Sequence, residues 1–311
     1  MRGSRFTLSA LVLAPSLALA QPARPPSESI TVTAGKYPQA IIRGFVDSHI
    51  VPTRMANKLA RWKDPVCPQV VGLPPKFAGF IRQHILDVAA RVGAPANTGE
   101  RCRPNMHVVF TTTPQELMNT VRRKYPDVMG YYDSRAQADR MAEMTKLIQA
   151  WYATATVDLR GNIFPDTRRT GGLEICMPNP LPTPGMACIP MTLPNARPMN
   201  VTGSRLLGDG LSSTFTHVLV VANPDKLVTH EMGALGDYIA MLALSQQPKP
   251  DGCQPMPSIL NLLEAQCPQV RELTDGDLAY LTALYRMGAS DSLQQQRDQL
   301  VSAINRSVGE P

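Results

Sequence analysis

The chain has 311 residues, 43% of them hydrophobic and 5% aromatic, with a formal net charge of +6. That is enough apolar material to bury a sizeable core, which excludes a disordered chain. The basic residues fall in short clusters, Arg101/Arg103, Arg122-Arg123-Lys124 and Arg168-Arg169, without the long stripe and interleaved aromatics of a nucleic-acid surface, so no nucleic-acid partner is expected.

In chain order, Arg2 and Arg5 precede a mostly apolar run from Phe6 to Leu17, too short to span a bilayer, and Ala18-Leu19-Ala20 has the small-x-small pattern of a signal-peptidase site. Residues 1–20 therefore read as a signal peptide. The mature chain starts near Gln21, its charge falls from +6 to +4 with the loss of Arg2 and Arg5, and it is periplasmic or secreted. No later stretch approaches 18 uninterrupted apolar residues, so no transmembrane segment is expected in it.

Residues 21–28, QPARPPSE, form a Pro-rich mobile lead to a main domain spanning residues 29–311. Ser29 to Thr33 alternates as a short strand, and a helical pattern from Pro38 to Trp62 is interrupted at Pro52. Val66 to Leu73 reads as a strand and Phe77 to Val92 as a helix stopped by Gly93. Met106 to Phe110 reads as a second strand, parallel to the first given the length of the crossover. Pro114 starts a helix to about Arg123. Ser134 caps another, read as running to Trp151 with Met141, Met144, Leu147 and Ile148 as its stripe, followed by a strand from Thr154 to Leu159.

Residues 161–200 carry many of the prolines, and the irregular insert of about 161–210 reads as a disulfide-pinned hairpin or surface excursion. Phe215 to Val221 is the clearest strand. A turn at Asn223-Pro224-Asp225 leads to a helix placed from Lys226–Thr229 to about Gln246. Thr274 with Asp277 forms a capping-box start for a helix to Met287, and Asp291 to Ile304 is the last helix. The fold class is α+β: a strand-helix-strand core, a later strand-helix unit and C-terminal helices.

Export turns six cysteines into a disulfide framework. Six cysteines permit 15 connectivities. The local pairs Cys67–Cys102, Cys176–Cys188 and Cys253–Cys267 are favoured because each brackets one Pro- or Gly-rich stretch, and no C-x-x-C spacing points to a zinc knuckle.

The segment that looks like chemistry is His230-Glu231-Met232-Gly233-Ala234. A zinc peptidase needs H-E-x-x-H, since side chains at i and i+4 share a helix face and the intervening glutamate polarises water, but Ala234 stands at the second ligand position. His230 and Glu231, with Asp237 two turns further on, are the candidate catalytic residues, and His230 is the candidate metal ligand. The competing reading makes His230 a helix-start histidine and Glu231 a carboxylate favoured by the helix dipole. His49, His84, His107 and His217 are scattered singly, and the strand positions of His107 and His217 favour satisfied or surface roles. No nucleophile elbow, dinucleotide fingerprint or Walker sequence occurs, and no cofactor is expected.

The order of elements, with Asp237 to Leu244, Pro257-Ser258-Ile259-Leu260 and the stretch Leu273, Thr274, Asp277, Leu278, Leu281, Leu284, Tyr285, resembles a degenerate zincin-type scaffold. It is similar to uncharacterised families of exported proteobacterial proteins that lack a complete metal motif. The resemblance implies a fold and an export route but no reaction. The expectation is an exported envelope protein with a non-catalytic role. Alternatives are a metal-dependent hydrolase using His230 and Glu231, and a binding module whose 161–210 region recognises an envelope partner.

Overall fold

The computed structural model describes residues 37–97, 99, 102–167, 170–178, 186–194, 199–201, 208–248, 252–288 and 291–308. The expected signal peptide, the Pro-rich lead and the strand at Ser29 to Thr33 lie outside the described residues. The elements in order are α1 (Gln39–His49), β1 (Ala60–Arg61), β2 (Pro68–Val71), α2 (Pro75–Val92), β3 (Met106–Phe110), α3 (Pro114–Lys124), α4 (Arg135–Met141), β4 (Ile148–Val157), β5 (Ile163–Pro165), β6 (Thr170–Pro178), β7 (Met186–Pro194), β8 (Ser212–Ala222), α5 (Met232–Leu244), α6 (Asp275–Arg286) and α7 (Leu293–Val308). The class is α+β, as the sequence pattern implied.

β8 is the centre of a six-stranded sheet of order β2-β3-β8-β4-β5. β2 pairs with β3, and β3 with β8, in parallel, whereas β4 runs antiparallel along the other side of β8. β1 pairs with β8 in parallel through Ser213 and Thr214, so it and β3 lie end to end along one side of β8. Val218, Leu219, Val220 and Val221 are all buried. Such a run is expected where both faces of a strand are covered. Val218, Val220 and Ala222 pack into the larger core with α1, α2, α5, α6 and α7, while Leu219 and Val221 join Met118, Val121, Met129, Ala138 and Trp151 beneath α3 and α4.

A register shift opposite Ala153 and Thr154 pairs Ala153 with His217 and Thr154 with Phe215, leaving Thr216 as the bulged residue. The bulge returns Phe215 to the face of Val218, where its ring packs against Trp62 and Tyr152. His217 stays on the face of Leu219.

Two expected boundaries are corrected. The helix capped by Ser134, whose side chain accepts from the Gln137 N–H, ends at Met141 instead of Trp151, and residues 148–157 are strand β4. Helical spacing of Met141, Met144, Leu147 and Ile148 competed with a run of strand-favouring residues, Trp151, Tyr152, Thr154, Thr156 and Val157, and pairing with β8 along its whole length decided for the strand. Likewise α5 begins at Met232, because Pro224–Lys226 forms a 3-10 turn initiated by the Asn223 side chain, and Leu227 is drawn into the core before the helix starts. Within the insert, β6 and β7 pair over nine residues each as a separate two-stranded antiparallel ribbon.

The capping box at Thr274 and Asp277 is formed, and the buried Asp277 carboxylate also accepts from the Ser258 hydroxyl and the Ile259 N–H. Cys67–Cys102 and Cys253–Cys267 are disulfide-bonded. The third expected pair, Cys176 and Cys188, occupies directly opposed positions in the β6–β7 register, its side chains lying outside the described set. Among the described residues no helix is long and apolar enough to cross a membrane.

α5 is buried almost all round, from Ala234 to Leu244 apart from Asp237. Its last carbonyls cannot be hydrated there and are met by side chains from β4, from α6 and from the residue after β1. Tyr152 Oη donates to Leu242 O, Trp62 Nε1 to Ala243 O and Tyr285 Oη to Leu244 O. Removing one donor strands a buried carbonyl, so Tyr285→Phe is expected to lower the unfolding free energy by about 1–3 kcal/mol in urea titration. Leu219→Ala, in the smaller core, should cost roughly 2–5 kcal/mol; a loss below about 1 kcal/mol would mark that layer as peripheral. Reduction should also destabilise the protein, since the Cys67–Cys102 bond closes a loop of sequence separation 35. The chain-entropy contribution is about 3–4 kcal/mol, read as a fall in melting temperature with reductant.

Candidate functional site

The three candidate catalytic residues have different partners in the structure. His230 sits in the turn before α5, with its N–H donating to Leu227 O and its Nδ1 3.3 Å from the Thr229 hydroxyl. Glu231 is the N-terminal flanking residue of α5 and forms an exposed ion pair with Arg271 at 3.1 Å. Such a pair at the surface contributes little. Ala234 is buried on the helix, whereas His230 precedes it, so the two do not stand one helical turn apart on a common face.

Asp237 has a different partner. Its Oδ1 lies 2.7 Å from Nε2 of His84 on α2, and its Oδ2 accepts from the Leu273 N–H at 3.1 Å. The carboxylate thereby ties α2, α5 and the approach to α6 together. The pair is mostly shielded, with His84 26% and Asp237 13% exposed in their side chains. The hydrogen bond to Asp237 raises the His84 pKa above its ordinary value, outweighing burial, which acts the other way. Phe80 stacks on the imidazole with centroids 5.7 Å apart. Gly236 makes the approach feasible, because a Cβ there would fall 2.7 Å from His84 Cδ2. A carboxylate-held imidazole can serve as a general base, but no hydroxyl or thiol among the described residues is hydrogen-bonded to His84. The arrangement works as a strut between helices.

His84 had one signal in the sequence. It stands between Ile81, Ile85 and Val88 on the apolar stripe of α2, where a polar residue requires a partner. The partner itself could not be read from a separation of 153 residues.

Two other histidine environments emerge. His49 is fully buried, with Nδ1 2.7 Å from Phe45 O and its ring between Phe45 and Tyr280. Burial depresses its pKa to about 4 despite the bond to Phe45. His107 Nδ1 and His217 Nε2 lie 2.7 Å apart across β3 and β8, beside a cavity of about 380 Å³ lined by Trp62, Asp64, Arg103, Asn105, Thr216 and His217. Burial lowers the pKa of both, that of His217 to about 4. His217 Nδ1 is buried without a hydrogen-bond partner. Among the described residues no three His, Cys, Asp or Glu side chains come together as a metal-holding group. Compared with protein-family models, curated proteins and solved structures, the chain matches none.

Two predictions follow from these environments. Asp237→Asn should bring the His84 pKa down toward its ordinary value in an NMR titration of the imidazole; an unchanged titration would remove Asp237 as the cause. For His49 the folded pKa lies below the unfolded value of 6.5, so between about pH 6.5 and 4 the unfolded chain binds the extra proton. Stability contributed by the neutral ring is full above that window and lost on acidification, by on the order of 3 kcal/mol. Urea unfolding at pH 7 and 4.5 should show a steeper loss in the parent than in His49→Gln, and equal slopes would contradict the assignment.

Proposed function

We propose that the protein is an exported, non-catalytic binding module of the cell envelope, in which the α+β body presents the β6–β7 ribbon to an envelope partner. The observation that carries this reading is the ribbon itself, paired over nine residues to a strand apart from the main sheet. The register sets Leu173 opposite Met191, Ile175 opposite Ile189, Met177 opposite Ala187 and Gly171 opposite Leu193. The intervening pairs are Thr170 with Pro194, Gly172 with Thr192, Glu174 with Pro190, Cys176 with Cys188 and Pro178 with Met186. A two-stranded ribbon outside the main sheet, its sequence rich in apolar residues, fits recognition by strand addition. Pro190 interrupts β7 as a donor strand, leaving β6 the more continuous edge.

Export is supported by the N-terminal pattern together with two formed disulfides, which persist in an oxidising compartment. The non-catalytic reading is supported by the commitments of the candidate residues: Glu231 to Arg271, and Asp237 to His84 and the Leu273 N–H. The degenerate zincin-like scaffold is kept as a reading of element order alone, supported by the central strand β8 leading through a turn to the apolar helix α5.

Replacing residues 172–192 by a short Gly-Ser turn tests the proposal. Cross-linking in envelope fractions should yield an adduct with the parent and none with the shortened chain, while the melting temperature of the body stays within a few degrees. Equal adducts from both would overturn the ribbon's role. Stoichiometric zinc in untagged protein, lost on His230→Ala, would instead favour the hydrolase alternative.

A further inference from the structure

We propose that the outer face of the α6–α7 pair is a self-association surface, covered in solution by the same face of a second copy of this chain. The surface lies on the body and not on the ribbon, so it is independent of the reading above. α6 and α7 are consecutive helices with a short connection between Arg286 and Leu293. The segment around β1 touches both of them: the Leu59 N–H donates to Gln296 Oε1 and Arg61 donates to Leu284 O, each at 2.9 Å. The C-terminal end of α6 therefore lies beside the first half of α7, and the two helices run antiparallel. Between them runs a groove of about 740 Å³.

Four exposed charged residues line this groove, Asp275 and Arg286 on α6 and Asp298 and Arg306 on α7. Asp275 in the first turn of α6, Arg286 in its last turn and Arg306 in the last turn of α7 each complement the dipole of their own helix. Because the helices are antiparallel, Asp275 shares one end of the groove with Arg306, and Arg286 shares the other half with Asp298. The signs alternate around the groove, negative on one diagonal and positive on the other. A two-fold axis lying in the plane of such a face exchanges the diagonals. With the axis across the groove, Asp275 meets Arg286 of the second copy and Asp298 meets its Arg306; with the axis along the groove, Asp275 meets Arg306 and Asp298 meets Arg286. Every charge then faces its opposite, the complementarity that a closed two-fold contact of identical surfaces requires. Among the described residues none of the four has an ion-pair partner within its own chain, and Asp298 only accepts hydrogen bonds from Gln294 on the same helix.

Between the charges the groove is apolar and shallow. Leu278, Ala279 and Ala303 are half-buried and Ala283 is buried, and the short alanine side chains let a helix of a second copy approach closely. Helices of 12 and 16 residues are about 18 and 24 Å long and about 10 Å wide, so the paired face covers on the order of 400–600 Å² per copy. A standard stable interface takes about 800 Å² per partner, so the dimer is weak and reversible, with Kd of about 10 to 500 μM.

The test is sedimentation equilibrium of untagged mature protein from about 10 μM to about 1 mM, a range that brackets such an affinity. The expected result is a monomer–dimer equilibrium that weakens in about 1 M salt, where exposed charges are screened beyond about 3 Å. Arg306→Asp breaks two symmetry-related contacts and should raise Kd at least roughly tenfold, with the melting temperature within a few degrees of the parent. Adding Asp298→Arg to it restores dimerisation if the axis crosses the groove, and adding Asp275→Arg restores it if the axis runs along the groove. The chain shortened at residues 172–192 should dimerise as the parent does, which keeps this test apart from that of the ribbon. Should Arg306→Asp fail to fold, Arg306→Gln and Arg286→Gln, which remove a charge without reversing it, should each still weaken the dimer. A monomer throughout the range, a dimer indifferent to salt and to Arg306→Asp, a dimer lost on shortening the ribbon, or failure of both double variants to recover would overturn the proposal.

Discussion

The demand that the rest of the fold answers is the burial of an apolar helix together with its polar end. α5 has so few polar side chains that it is covered on nearly every side, and its last turn then presents carbonyls where water cannot reach. An unmet buried carbonyl costs of the order of a whole hydrogen bond, so the donors must come from the elements that bury the helix. Trp62 beside β1, Tyr152 on β4 and Tyr285 on α6 each supply one, and Ser245 returns its hydroxyl to Met241 O. These aromatics contribute twice, through apolar area and through a single polar tip. In a chain with 5% aromatics, three of them converge on one helix end.

The bulge at Thr216 follows from the same packing. Trp62 and Tyr152 flank the ring of Phe215, and without the extra residue strict alternation would send Phe215 to the face opposite Val218. His217 is left next to the bulge on the other face, where it meets His107. The imidazole pair follows from the parallel register of β3 and β8, which sets His107 opposite Leu219, two residues after His217. The neighbouring strand β1 ends at Arg61 and β3 starts at Met106, so the flank of β8 between them opens onto the cavity that Phe215, Thr216 and His217 line.

Charge placement gives the histidines opposite roles. His84 gains from a carboxylate and is held partly at the surface, while His49 is enclosed by Phe45 and Tyr280 and is stable only as a neutral ring. The α2–α5 contact and the α1–α6 region therefore respond to acid in opposite senses. Falling pH favours the charged His84 and penalises His49.

Much of the local structure was determined by the sequence alone. Period-two and apolar runs placed β3 and the core of β8, the stripe of α2 and its Gly93 stop were visible, and Thr274 with Asp277 announced the start of α6, because these signals act between residues a few positions apart. The cysteine brackets at Cys67–Cys102 and Cys253–Cys267 were legible for the same reason. Tertiary structure alone decided whether residues 148–157 extended the preceding helix or joined β8 as a strand, since local spacing supported one and pairing stabilised the other. It also decided that Asp237 faces His84 and not His230, and that two histidines 110 residues apart share a hydrogen bond. Contacts of that kind depend on the parallel crossover and the register of β8, and no short-range pattern in the chain encodes which distant side chain will be opposite.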